Sequence, residues 1–334
     1  MPTLVTCYPV TDSDLSKIER EFSDYSICVS DQSSISTDIL NADIFCGHAK
    51  VPIDWQAVVQ QGRLKWIQSS AAGLDHCLTT PVVESDIIVS GCSALFANQV
   101  AEHTLALLYG MLRRLPLFMK AKFKKEFVRQ PTDELHGKTV GIIGFGGNGR
   151  RIATMLRGVA GQILVTDKFP DFEIPNYVRA FPDAETISVF AKSDVIILTL
   201  PLTNETKLKI GSQHFSAMKK GSYFINVARG SVVRQEDLIA AIENMTIGYA
   251  ALDVVDPEPL PDSSPLWGFE NVIITPHVGA QSTTRLPWTT ELLCRNKQMF
   301  LNSETLINQV DKLLQIPRPE NRIRIGENGL PIWP

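Results

Sequence analysis

Along the chain, short apolar runs alternate with stretches whose apolar residues recur every three or four positions. In residues 1–97 the runs fall at 4–7, 26–29, 43–46, 65–68 and 87–90. Five short strands joined by helical crossovers predict a small parallel α/β unit. Residues 99–129 contain no Gly or Pro except Gly110 and Pro116, which predicts a long helix and a second one carrying basic residues. From Thr139 the apolar runs are 139–143, 163–166, 194–200, 222–227, 247–252 and 272–275. Between them Ile152, Met155, Leu156 and Val159 keep helical spacing, as do Leu238, Ile239, Ala241, Ile242 and Met245. Repeated strand–helix–strand units of this kind predict a doubly wound sheet. A further helix is expected at about 288–303, and the Pro-, Gly- and Arg-rich tail 316–334 is expected to run extended, on the body or on a partner subunit. The order predicts one domain inserted in another: residues 1–98 and 284–334 form a discontinuous lobe, and 99–283 a continuous one. A cleft between such lobes is the expected ligand site.

Composition narrows the classes. The 334 residues are 44% hydrophobic and 20% charged, with net charge −4 and a pI near 5.9, an ordinary globular balance that points to neither nucleic acid nor an anionic membrane. No run approaches the 18 apolar residues of a membrane span, and Met-Pro-Thr-Leu-Val-Thr-Cys does not read as a secretory signal, so a cytoplasmic location is expected. The six cysteines (7, 28, 46, 77, 92, 294) show no C-x-x-C and no metal-ligand spacing; they read as core thiols of a reducing compartment, and no metal is expected. The basic stretch Lys120-Ala-Lys-Phe-Lys-Lys125 reads as a solvated helix face.

The most specific chemistry is Gly144-Phe-Gly-Gly-Asn-Gly149, set between the run 139–143 and an amphipathic stretch from Arg150. Asp167 stands 18 residues past the last glycine, at the end of the next run. Strand, G-x-G-x-x-G, helix and a carboxylate at that distance form a dinucleotide-binding fingerprint. Gly144 permits the tight turn, Gly146 lets backbone approach a pyrophosphate, and Gly149 lets the helix lie close to the strand. Asp167 would accept hydrogen bonds from ribose hydroxyls and repel a 2′-phosphate, so NAD is expected in preference to NADP. Lys168 beside it is the one contrary feature.

Three polar residues follow late strands: Arg229 after 222–228, Glu258 within 252–260 and His277 after 273–276. In an open α/β sheet the ligand crevice lies beyond the carboxyl ends of the strands. A cation for a substrate carboxylate and carbonyl oxygen, a proton donor, and a carboxylate to hold that donor suit hydride transfer to a carbonyl. A carboxylate beside an imidazole favours its charged form, ready to donate.

The segments 134–146 (Glu-Leu-His-Gly-Lys-Thr-Val-Gly-Ile-Ile-Gly-Phe-Gly), 226–230 (Asn-Val-Ala-Arg-Gly), 251–261 (Ala-Leu-Asp-Val-Val-Asp-Pro-Glu-Pro-Leu-Pro) and 275–280 (Thr-Pro-His-Val-Gly-Ala) resemble the D-isomer-specific 2-hydroxyacid dehydrogenase family, over about 65–312. The resemblance implies a Rossmann NAD-binding domain inserted into a smaller flavodoxin-like parallel α/β domain, and reduction of small 2-keto acids or the reverse reaction. It implies Arg229, Glu258 and His277 as the catalytic trio, with His277 the proton donor. Its cofactor contacts fall on Gly147, Asn148, Asp167, the loop from Leu200 and Pro201 to Thr206, Val227, Ala228, Arg229, Asp253, and His277 to Gly279 and Ala280, with Asp253 holding the nicotinamide amide. The turn Ser70-Ala-Ala-Gly-Leu-Asp75 matches the family's carboxylate seat at Ala72, Gly73 and Leu74, joined in substrate binding by Arg229 and His277. Val100-Ala-Glu-His-Thr104 matches the start of the interdomain helix. The family dimerises through its crossing helices, which implies a homodimer with Leu105, Leu108 and Leu112 at a symmetric interface. There are departures. Gly147-Asn148 stand where relatives often carry a cation, and the substrate turn has no Arg or Lys of its own. That lack disfavours a phosphorylated substrate, and Lys50 is the one nearby candidate cation. Arg285 and Trp288 are candidates for a pocket wall, with helix packing the stronger reading for Trp288. Some relatives act as NAD-sensing co-repressor scaffolds, the alternative to an enzyme.

Overall fold

In the computed structural model, which describes residues 1–334, the five expected runs of the first segment are strands: β1 (Thr3–Cys7), β2 (Ser26–Val29), β3 (Ile44–Gly47), β4 (Trp66–Ser69) and β5 (Ile88–Ser90). They pair in parallel in the order β2-β1-β3-β4-β5, the flavodoxin-like order. Central β3 and β4 are wholly buried, β3 as a continuous apolar run and β4 with polar Gln68 and Ser69 at its end, whereas edge strand β2 is half open. The crossovers carry α1 (Asp12–Glu21), α2 (Ile35–Asp38), α3 (Trp55–Gln60) and α4 (Thr80–Glu84). Helix α1 starts on a capping box of Thr11 and Asp14, and α3 on the Asp54 carboxylate.

The middle segment opens with α5 (Ala97–Leu112) and α6 (Leu115–Phe123), two helices separated at Arg113 and Arg114. Arg114 is left-handed (φ 52°) and Pro116 sits in the first turn of α6, so the chain breaks there; α6 itself ends at Phe123, which leaves residues 125–129 outside the helix. Then come β6 (Thr139–Ile143), α7 (Gly147–Leu156), β7 (Gln162–Asp167), β8 (Arg179–Pro182), α8 (Thr186–Lys192), β9 (Val195–Leu198), α9 (Ser212–Ala217), β10 (Ser222–Asn226), α10 (Gln235–Glu243), β11 (Ile247–Leu252) and β12 (Val272–Ile274). All seven strands are parallel, in the order β12-β11-β10-β9-β6-β7-β8, a Rossmann sheet with one added strand. Strand β8 was not among the expected runs. It is an edge strand whose Arg-Ala-Phe-Pro buries only Phe181 fully, so it leaves no apolar run. Leu108 and Leu112 of α5 are buried in the core of this unit with Val140, Ile142, Ile197 and Ile225. They are therefore not free for a partner subunit.

The chain then returns to the first segment through α11 (Arg285–Leu301), which begins three residues earlier than expected because Pro287 fits a first helical turn. Phe300 stacks on Trp66 with ring centroids 5.4 Å apart, and the Asn296 amide donates to Gln68 Oε1 at 2.9 Å. The tail forms two short antiparallel ladders, β13 (Val310–Asp311) with β14 (Ile316–Pro317), and β15 (Arg324–Ile325) with β16 (Pro331–Ile332). Trp333 packs near Trp288 and under the Arg295 guanidinium, 4.6 Å from its ring centroid, so the tail lies on α11 and Trp288 has a packing partner. The two units are Met1–Phe96 with Ser282–Pro334, and Ala97–Gln281. No helix is long and apolar enough to cross a membrane.

Candidate active site

Strand β6 delivers the chain into the glycine loop. Gly144 is left-handed (φ 94°), and a Cβ there would lie 3.1 Å from the Leu200 amide nitrogen. At Gly149 a Cβ would stand 2.3 Å from the Gly144 carbonyl oxygen, so only glycine lets α7 sit this close to the loop. A Cβ at Gly146 would meet nothing within 4 Å, which leaves open space in front of that backbone. The amides of Gly146, Gly147 and Asn148 have no acceptor in the protein, and α7 runs ten residues behind them. Free donors with a helix dipole behind them suit a pyrophosphate. At the end of β7 the Asp167 carboxylate accepts from the Phe145 amide (2.6 Å) and the Phe169 amide (2.8 Å), which ties it to the loop. Its neighbour Lys168 pairs with Glu205 at 2.8 Å. These residues fit a nicotinamide dinucleotide.

The loop after β9 is compact: Leu200 is buried, and the Thr206 hydroxyl donates to the Pro201 carbonyl at 2.6 Å. After β10, Asn226 Oδ1 accepts the Ala228 amide and Asn226 Nδ2 donates to the Arg229 carbonyl, fixing the turn that holds buried Val227 and Ala228. Arg229 Nη1 donates to the Ala228 carbonyl at 2.8 Å, and the guanidinium helps lower the Glu258 carboxyl.

Beyond β11 and β12 the two carboxylates behave differently. Asp253, 4% exposed, accepts from the Thr275 hydroxyl (2.6 Å), the Val278 amide (3.0 Å) and the Gly279 amide (2.9 Å), with His103 Nε2 shared between the Thr275 hydroxyl oxygen (3.0 Å) and this carboxylate (3.2 Å). Burial raises its carboxyl, but hydrogen bonds from His103, Thr275, Val278 and Gly279 outweigh that and hold it at about 2. Three of these bonds come from the 275–279 turn, so Asp253 is engaged in holding it. The expected role of gripping a nicotinamide amide would compete with these bonds. The Asp253 carbonyl also accepts the His277 amide at 2.8 Å, and His277 is left-handed (φ 54°), a conformation that this anchoring sustains. Gly279 is required here as well, since a Cβ would stand 2.9 Å from Asp253 Oδ2.

Glu258 is 38% exposed, and its Oε2 lies 2.9 Å from Nδ1 of His277, itself 42% exposed. Burial pulls the Glu258 carboxyl up, but the His277 hydrogen bond and charge outweigh it, with the Val255 amide and Arg229 adding to them, so the net shift is downward. An acceptor at Nδ1 requires that nitrogen to carry a proton, which leaves Nε2, without a protein partner, as the exchanging position. Ala280 follows in the same turn, half-buried.

In the first unit the turn after β4 presents a second set of free donors. The Ser70 amide donates to the Gly47 carbonyl and the Ala71 amide to Ser69 Oγ, both at 3.1 Å. The next three amides, of Ala72, Gly73 and Leu74, have no acceptor in the protein. The turn has no cation of its own, but one reaches it from far along the chain. Arg285 Nη2 reaches the Ser70 carbonyl at 3.4 Å, and its guanidinium lies over the Phe96 ring. Lys50, by contrast, is exposed and meets Gln32 through its backbone amide. Arg285 was expected at a pocket wall, and nothing in its local sequence tied it to this turn. His103 was not among the expected site residues; its one signal was its place in Val100-Ala-Glu-His-Thr104.

A sequence profile described as D-isomer specific 2-hydroxyacid dehydrogenase, NAD binding domain, matches residues 105–279. The chain belongs to the D-isomer specific 2-hydroxyacid dehydrogenase family. It is 36% identical to an uncharacterized protein of Corynebacterium melassecola over 74% of this chain and 82% of that one. It is 30% identical to the glyoxylate reductase of Thermofilum pendens over 82% of each. Among solved structures, the family member from Xanthobacter autotrophicus Py2, in complex with NADPH and MES, superposes with a TM-score of 0.79 at 23% identity, covering 94% of this chain and all of that one. This D-2-hydroxyacid dehydrogenase is thus an oxidoreductase with a nicotinamide dinucleotide site in its Rossmann unit.

Proposed function

We propose that the enzyme reduces small 2-keto acids to (R)-2-hydroxy acids, or runs the reverse, with NAD as the preferred dinucleotide. When bound, the dinucleotide supplies or takes up the hydride. His277 Nε2 delivers the proton to the carbonyl oxygen, and in the other direction takes it from the hydroxyl. Glu258 holds Nδ1 of the same ring and fixes its orientation for donation. Arg229 offers a planar cation for the substrate's carboxylate and carbonyl oxygen. The free amides of Ala72, Gly73 and Leu74 suit an anionic carboxylate. Asp253 acts by fixing the turn that carries His277.

The observation that carries this reading is the 2.9 Å bond from Glu258 to Nδ1 of His277, with Nε2 left free, on a turn anchored by a buried carboxylate. The NAD preference rests on Asp167, whose charge would meet a 2′-phosphate at the end of β7, and on Lys168 being paired with Glu205. Assembly as a homodimer in the cytoplasm is part of the proposal. With Leu108 and Leu112 buried, the surface that supports it is Leu115, Met119, Phe123 and Phe127, the last two 79% and 93% exposed. The test is a panel of 2-keto acids with NADH and NADPH, followed by nicotinamide absorbance. Turnover with NADH favoured is expected. Oligomerisation driven by NAD with no turnover of any 2-keto acid would show a scaffold instead.

A further inference from the structure

The first unit carries two separate anion-recognition features on one turn. One is the run of three free amides at 72–74. The other is Arg285, from the first turn of α11. Its guanidinium has five N–H donors, and the protein uses one of them, in a long 3.4 Å hydrogen bond to Ser70. It forms no ion pair, although the chain holds 36 acidic residues. Phe96 and Ser70, 3% and 4% exposed, form the surface against which it lies, with its Cζ 5.4 Å from the ring centroid. A half-buried guanidinium with no counter-anion in the protein has donors to spare, which a planar two-oxygen anion would fill through two parallel charge-assisted hydrogen bonds.

A 2-keto acid with one carboxylate needs one such seat. From the presence of two, and resting on the activity proposed above, we infer that the preferred substrate is a 2-keto acid bearing a second carboxylate, held at its far end by Arg285. A phosphate ester is the other anion that a guanidinium grips in a fork, but it brings nearly two charges. Arg285 is the one cation that reaches this turn, and Lys50 does not join it. One positive charge matches one carboxylate.

The experiment compares oxaloacetate and 2-oxoglutarate with glyoxylate and 3-phosphohydroxypyruvate, for the wild type and for Arg285→Met, which keeps an apolar stem over Phe96. The wild type should favour a dicarboxylate over glyoxylate by about 10-fold or more in kcat/KM. Arg285→Met should collapse that selectivity ratio by roughly 10- to 100-fold, mainly through KM, with Arg285→Lys intermediate, as expected for a lost charge-assisted bond. Calorimetric titration of (R)-malate against glycolate reads the same preference without turnover: malate should bind more tightly, and its advantage should vanish in Arg285→Met. An unchanged ratio in the variant, equal binding of malate and glycolate, or a wild-type preference for the phosphorylated acid would overturn the inference. Failure to turn over every 2-keto acid, with malate binding still dependent on Arg285, would strike the proposed reaction and leave the dicarboxylate seat standing.

Discussion

Two turns of this molecule offer free backbone amides to an anion, and they are built in different ways. In the second unit the loop at 144–149 runs straight into α7, so its donors stand at the positive end of a ten-residue helix. In the first unit the turn at 70–74 leads to no helix until α4 at Thr80, and the charge beside it comes from Arg285, on the far end of the chain. A helix behind a loop supplies electrostatics that survive changes of side chain. A turn without one needs a cation from elsewhere, and gains a site that side chains can retune.

Both turns are seats and neither is the reacting group, so the sharpest test removes the group that stands between binding and chemistry. His277→Ala should lower kcat by roughly 10²–10⁴, read by nicotinamide absorbance. Equal activity would mean that the proton comes from elsewhere. Next in size is Gly149→Ala. Its new methyl would stand 2.3 Å from the Gly144 carbonyl oxygen, so α7 must shift off the loop, and NADH affinity should fall by roughly 10-fold or more. Unchanged affinity would show that the helix contributes little to this seat. Read as stability and not as binding, Asp253→Ala strands the donors now held by one buried carboxylate and should cost roughly 3 kcal/mol in urea unfolding at pH 7. With its folded value near 2 and its ordinary value 3.8, the carboxylate's stabilising effect is present above pH 4 and fades as pH falls toward 2. The wild-type advantage over the variant should therefore shrink between those limits, and a constant difference would sink the anchoring role.

How far the sequence reaches follows from the same contrast. The glycine loop was legible because adjacent residues do everything the seat requires. Turn, close approach and helix packing are written in six consecutive positions, with Asp167 closing the motif. The 226–230, 251–261 and 275–280 segments could be placed because each ends a parallel strand, where topology aims it. Strand β8 escaped because one buried phenylalanine does not make a pattern. The contact of Arg285 with the 70–74 turn escaped because 215 positions separate it from Ser70, and no periodicity links them. Asp253 was visible as a conspicuous residue, but its four partners, among them His103 from α5, appear only once the strands are laid side by side. Leu108 and Leu112 carried helical spacing that fits an interface as well as a core, and pattern alone does not distinguish the two faces.

The interrupted course of the chain has a consequence for its biogenesis. Trp66 and Gln68 find their partners in Phe300 and Asn296, which a ribosome makes more than 220 residues later. The nucleotide-binding segment is continuous and can condense as soon as it emerges, so it takes shape while the amino-terminal sheet still lacks its last helix. Throughout that interval Trp66 lacks the ring that stacks on it and Gln68 lacks its amide donor.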